Sequence, residues 1–156
     1  MTPATSQPPG QTHAGAAAPG VQALISPVPH TLDPQAALAQ ALPLMHEQPG
    51  DCLLVVQAQR PVGILTPRDV LRLYVQRLDP QGRCLADVMS APVHSVATTT
   101  SVPAALQRMA ELGIGRLAVV DEAGHLAGLL TRPVLERALL LARQVSALQA
   151  DQARQR

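Results

Sequence analysis

Aromatic side chains are nearly missing from this 156-residue chain: it holds no Phe and no Trp, and Tyr74 stands alone. Any core it forms is therefore aliphatic, and it offers no aromatic platform on which nucleic-acid bases could stack. An excess of charge is missing too, with 12 Lys and Arg against 11 Asp and Glu for a net charge of +1. Without a basic tail or stripe, nucleic acid is not an expected partner. Apolar runs such as residues 53–56 and 138–142 fall far short of the ~20 residues of a spanning helix, so no membrane segment is expected. The first twenty residues carry no Lys, Arg, Asp or Glu and lack the basic and apolar regions of a signal peptide. Two cysteines, Cys52 and Cys84, do not form a close-spaced ligand or redox pair. Cys52 sits in an apolar run and reads as a buried thiol. A reduced, cytoplasmic protein is the expectation.

What is present is aliphatic material and order in its arrangement. Apolar residues make up 47% of the chain, and its length suits one compact domain or two small halves sharing a core. Residues 1–20 are rich in Pro, Gly and Ala without hydrophobic periodicity, which predicts a disordered tail. Beyond it lies an internal repeat. A shift of 64 residues lays Ser26 on Ser90, His30 on His94, Met45 on Met109, Glu47 on Glu111 and Leu53 on Leu117. A one-residue insertion in the second copy then brings Gly63 onto Gly128 and Thr66 onto Thr131. The repeats are assigned to residues 21–80 and 81–142, with 143–156 as a C-terminal helical extension.

Each copy reads as β-α-β-β-α. A short β segment precedes a helix, over residues 34–47 in the first copy and 101–112 in the second. The continuous apolar runs CLLVV and RLAVV suit buried strands, and VGILT and AGLLT supply the next strand before a second helix. Pro43 should kink or shorten the first helix, because it removes a hydrogen bond from the helix interior. Leu135, Ala138, Leu139, Ala142, Val145 and Leu148 recur at helical spacing as one apolar stripe, suited to self-association or to docking on the same chain. The last residues, ADQARQR, are polar and are expected to fray. Neither unit alone has a comfortable core. The predicted fold class is α/β (α+β), two repeats packed as a pseudo-twofold pair.

These repeated segments, above all GIGRLAVVDEAGHLAG in the second copy and the Gly-x-x-Thr-x-x-Asp ending GILTPRD in the first, resemble the cystathionine β-synthase (CBS) domain. The tandem resembles the CBS pair, or Bateman module, over roughly residues 25–142, here as a stand-alone module. The resemblance implies a regulatory sensor of adenosyl ligands such as AMP, ATP or S-adenosylmethionine. It also implies a homodimer, with a regulated protein as a further partner, and no cofactor beyond the regulatory ligand.

The residues of TPRD are explained without any ligand. Thr66 is a good N-cap, Pro67 suits the first helical position, and Asp69 can answer the cap. A carboxylate beside a helix N-terminus also suits a nucleotide, accepting from the ribose diol while free N–H groups face phosphate. The resemblance gives Thr66 and Asp69 the ribose role. Arg68, Arg116 and His125 are candidate phosphate partners, and His30, Leu53, Leu54 and His94 candidate walls of an adenine cleft. Each also has a plainer reading as a solvated charge, a strand-end histidine or a core leucine. The second copy keeps Thr131 as a cap but supplies no acid, so one good site is expected. No metal site is expected, because the histidines lack close-spaced partners. Without a nucleophile elbow, zinc spacing or phosphate-cradling glycine loop, an enzyme is not expected. The rival to a sensor is a ligand-free dimerisation scaffold in which TPRD only caps a helix.

Overall fold

The computed structural model describes residues 19–28, 30–47 and 51–155; most of the expected N-terminal tail lies outside them. The chain folds as β1 (Thr31–Leu32), α1 (Leu38–Met45), β2 (Leu53–Gln57), β3 (Arg60–Leu65) and α2 (Pro67–Val75), then β4 (Ser95–Ala97), α3 (Val102–Leu112), β5 (Arg116–Val120), β6 (Leu126–Thr131) and α4 (Arg132–Arg154). That is the β-α-β-β-α order twice. Each copy forms a three-stranded sheet, β1-β2-β3 and β4-β5-β6, with the first pair parallel and the second antiparallel. Register shifts at Val55/Val56 and Val119/Val120 fall at equivalent places in the two copies.

The apolar strands are buried on both faces, which explains why they read as runs rather than alternations. Leu53 and Val55 point into a core with Leu38, Ala41, Met45 and Leu73. Leu54 turns the other way and meets Ala118 and Leu129 of the second sheet, with Cys52. Val102, Ala105, Met109, Leu117, Val119, Leu130 and Leu135 make the second core.

The two copies exchange their leading segments. Ser26 pairs with Leu129 of β6 through hydrogen bonds of 2.9 and 3.1 Å, and its repeat mate Ser90 pairs with Ile64 of β3 at 2.9 and 3.0 Å. Val21 is therefore buried in the second core, while Leu85 and Val88 complete the first. The glycines of GILT and GLLT sit beneath these crossing segments. A Cβ on Gly63 would lie 2.3 Å from the Met89 sulfur, and one on Gly128 would lie 2.1 Å from Ile25 Cγ2 and 2.7 Å from the Ser26 carbonyl oxygen. Glycine is needed there because another chain segment passes over the strand.

The first helix is short, as Pro43 leads one to expect, while the last helix differs from expectation at two points. α1 spans 8 residues with Pro43 inside, against 11 for α3. α3 is capped by Ser101, whose hydroxyl accepts from the Ala104 N–H, and ends at Gly113 with φ 64°. Thr131 has N-cap backbone angles but its side chain accepts no capping bond, so the cap expected of it is not made. α4 continues for 23 residues, through the polar end expected to fray. Leu135 is buried in the core and Leu139 packs against it, but Val145 and Leu148 are 53% and 64% exposed, so the stripe docks only over its first half. Among the described residues no helix is long and apolar enough to cross a membrane.

Candidate functional site

The segment exchange leaves a cleft between the copies. Its walls are the β3–α2 junction (Ile64, Thr66 to Asp69), the segment leading into β4 (Ser90 to His94) and the α3–β5 loop (Gly113 to Arg116). The volume is about 520 Å³, inside the range of roughly 300–1,000 Å³ usual for small-molecule sites.

Asp69 lies at the floor and is 2% exposed. Its Oδ2 accepts from the Thr66 N–H and the Thr66 hydroxyl, each at 2.8 Å. Its Oδ1 accepts from Ser90 Oγ at 2.8 Å and from the Arg72 guanidinium. In return the Asp69 N–H reaches Thr66 Oγ1 at 3.4 Å, which completes a capping box. A carboxylate offers about four lone-pair directions, and the protein fills them all. The capping role of Thr66 and Asp69 is thus fully built, and a ligand hydroxyl can reach Asp69 only by displacing one of these donors.

The cleft carries positive charge. Arg68 projects from the first turn of α2, exposed, and its guanidinium has no partner among the described residues. Arg116 opens β5 and lies beside the Cys52 thiol, the residue at the equivalent place in the first copy. Burial pushes that thiol up from its ordinary pKa, and the Arg116 guanidinium pulls it only partly back. The α2 N-terminus adds the positive end of its dipole. Apolar surface comes from Ile64, Pro92, Val93 and Ile114.

Of the residues singled out in the sequence, Thr66, Arg68, Asp69, His94 and Arg116 meet in this one cleft. Four others lie elsewhere. Leu53 is sealed in the first core and Leu54 between the sheets, each at most 1% exposed, so neither lines the cleft. His125 closes the β5–β6 turn, with its N–H on Asp121 Oδ1 at 2.9 Å. His30, equivalent to His94 in the repeat, faces Glu47 at 2.7 Å and is not part of the cleft lining. Sequence reasoning missed Ser90 and the Gly113–Ile114–Gly115 loop. The one trace of Ser90 is its match to Ser26, since nothing in the Thr66–Asp69 spacing points 21 residues along the chain.

The family profile described as "CBS domain" matches residues 21–76 and again 85–140. The chain is 36% identical over 83 residues to the uncharacterized protein MK0525 of Methanopyrus kandleri, covering 53% of this chain and 42% of that one. It thus spans less than half the length of that curated relative. Among solved structures, the CBS-domain protein PAE2072 of Pyrobaculum aerophilum, complexed with AMP, superposes with a TM-score of 0.70 at 28% identity, covering 79% of this chain and 96% of that one. CBSX2 of Arabidopsis thaliana in complex with AMP superposes with a TM-score of 0.67 at 27% identity, covering 80% and 98%. With both copies matched and the paired fold shared, the chain belongs to the CBS-domain family and carries two CBS domains in tandem.

Proposed function

We propose that this CBS pair is a regulatory module whose cleft binds an adenosyl ligand, with AMP as the first choice over ATP and S-adenosylmethionine. The observation that carries the reading is convergence. The Thr66–Asp69 motif comes from one copy and Arg116 from the other, yet both line one cleft with the exposed Arg68. Two structural relatives at 27% and 28% identity are described as bound to AMP, which supports the choice of ligand. In this reading Arg68, Arg116 and the α2 N-terminus take the phosphate. A ribose hydroxyl takes the place of the Ser90 or Thr66 hydroxyl on Asp69, and the base lies among Ile64, Val93 and Ile114. A ligand touching both copies favours one arrangement of the pair, and a partner protein responds to it. The module binds and releases its ligand without turnover, in the cytoplasm.

A second reading, a ligand-free dimerisation scaffold, draws on the four donors that already saturate Asp69. It also draws on the exposed Leu140, Leu141, Val145 and Leu148 of α4 and Leu71, Tyr74 and Val75 of α2, a surface suited to a second copy. Titration calorimetry with AMP, ATP and S-adenosylmethionine separates the two readings. Binding weakened by Arg68→Ala, an exposed substitution that leaves the capping box intact, supports the sensor. No heat with any of the three, together with a dimer by light scattering, leaves the scaffold.

A further inference from the structure

We propose that Arg132 is a positioning residue that pins the Ile114–Gly115 wall of the cleft and carries ligand occupancy into α4. The inference rests on the reading of the cleft as an adenosyl-ligand site. Arg132 is the first residue of α4. Its N–H donates to the Gly115 carbonyl at 2.9 Å, and its guanidinium Nη2 donates to the Ile114 carbonyl at 2.8 Å. Ile114 and Gly115 both line the cleft, whereas no α4 residue does.

A cation at a helix N-terminus opposes the helix dipole. Here the guanidinium instead turns back onto a carbonyl just past Gly113, the C-cap of α3, where negative potential favours it. These bonds also anchor a helix start that Thr131 leaves without a side-chain cap. The equivalent residue in the first copy is Pro67, which has neither an N–H nor a guanidinium. Only the second copy can make the pin, and its loop is the one that faces Thr66 and Asp69.

α4 is the element suited to carry the signal outward. Leu135 is its only fully buried residue, and it continues past the core to expose Leu140, Leu141, Val145 and Leu148. A ligand pressed against Ile114 and Gly115 moves the two carbonyls that hold the first turn of this helix.

Hydrogen exchange on the full chain tests the proposal, with AMP as probe and Arg132→Ala, Arg132→Lys and Arg132→Pro as variants. Ala removes the guanidinium bond, and Lys restores a flexible donor. Pro imports the state of the first copy, at a helix position where proline fits. Without AMP, exchange of the 114–116 amides should rise in the order wild type, Lys, Ala, Pro, while β2 and β5 stay protected. The AMP dissociation constant should weaken about tenfold in Ala, in line with one lost charge-assisted bond, and recover in part in Lys. AMP should slow exchange over residues 132–139 in the wild type but not in saturated Arg132→Ala. Unchanged 114–116 exchange in Ala and Pro would overturn the pin. An α4 that ignores bound AMP in the wild type would overturn the coupling and leave the ligand reading standing. If the wild type binds no AMP, that reading and the coupling fall together, while the ligand-free exchange still reports on the pin.

Discussion

Removing the Asp69 carboxylate should destabilise the protein before any ligand is considered. Asp69→Ala deletes the acceptor for the Thr66 N–H and hydroxyl and for Ser90 Oγ, all at 2.8 Å. Loss of a helix-capping interaction costs about 1 kcal/mol, and each of the other bonds made in a buried setting contributes about 1 kcal/mol more. The Arg72 pair adds little, because that side chain is 51% exposed and exposed ion pairs contribute roughly 0–1 kcal/mol. The total is about 2–4 kcal/mol, since the bonds share one carboxylate and do not add fully. At about 3–4 °C per kcal/mol for a domain of this size, the melting temperature should fall by roughly 6–16 °C. Asp69→Asn keeps one oxygen for the two Thr66 donors and should lose about half as much. Differential scanning calorimetry of the three proteins reads this directly. A melting temperature for Asp69→Ala within about 2 °C of wild type would refute the placement of Asp69 as the tie between α2 and the exchanged segment. The same arithmetic means that lost ligand binding in Asp69→Ala is not by itself proof of a ribose contact.

The two motif glycines should differ in tolerance: Gly128→Ala meets the backbone oxygen of Ser26 at 2.7 Å, whereas Gly63→Ala meets only the flexible Met89 side chain. Urea unfolding should show the larger loss at Gly128, about 2 kcal/mol or more, and equal losses would contradict the packing. Cys84 is half-buried and Cys52 fully buried with its thiol pKa raised by desolvation. A thiol reagent near neutral pH should therefore label one cysteine in the native state and the second only on unfolding. The Asp87 carboxyl is held below its ordinary pKa by the Cys84 side chain and then by the Cys84 N–H. Its contribution to stability is complete above the unfolded value of about 3.9 and is lost as pH falls through the lower folded value. Asp87→Asn should accordingly flatten the stability curve in that acid range only. Leu148→Glu places charge on a residue 64% exposed in the single chain. It should leave melting unchanged at low concentration and abolish any dimer seen by light scattering.

How much of this was legible in the sequence depends on the range of the interaction. The β-α-β-β-α order, the acid-bearing TPRD of the first copy and the capping role of Thr66 are local or periodic features, and the repeat shows the element order twice. Pro43 announced the short helix α1 for the same reason: a missing N–H acts on its own turn. What a residue faces is not local. Leu54 reads from the sequence as a core leucine with a cleft wall as the alternative, and it packs in the seam between the sheets; side chains alternate on a strand, and the period does not say which face is covered. His30 and His94 are equivalent in sequence, yet only His94 lines the cleft with Thr66 and Asp69. Ser90 and Arg132 could not be found by spacing, since their partners lie 21 and 18 residues away and meet them only through the exchange of segments and the return of β6 beside the α3–β5 loop. The sequence by itself determined two repeats, their strands and helices and one complete Gly63-Thr66-Asp69 motif. Only the tertiary structure decided that the motif of one copy and the arginine of the other share a cleft, because that depends on how two nearly equal halves pack across a common seam.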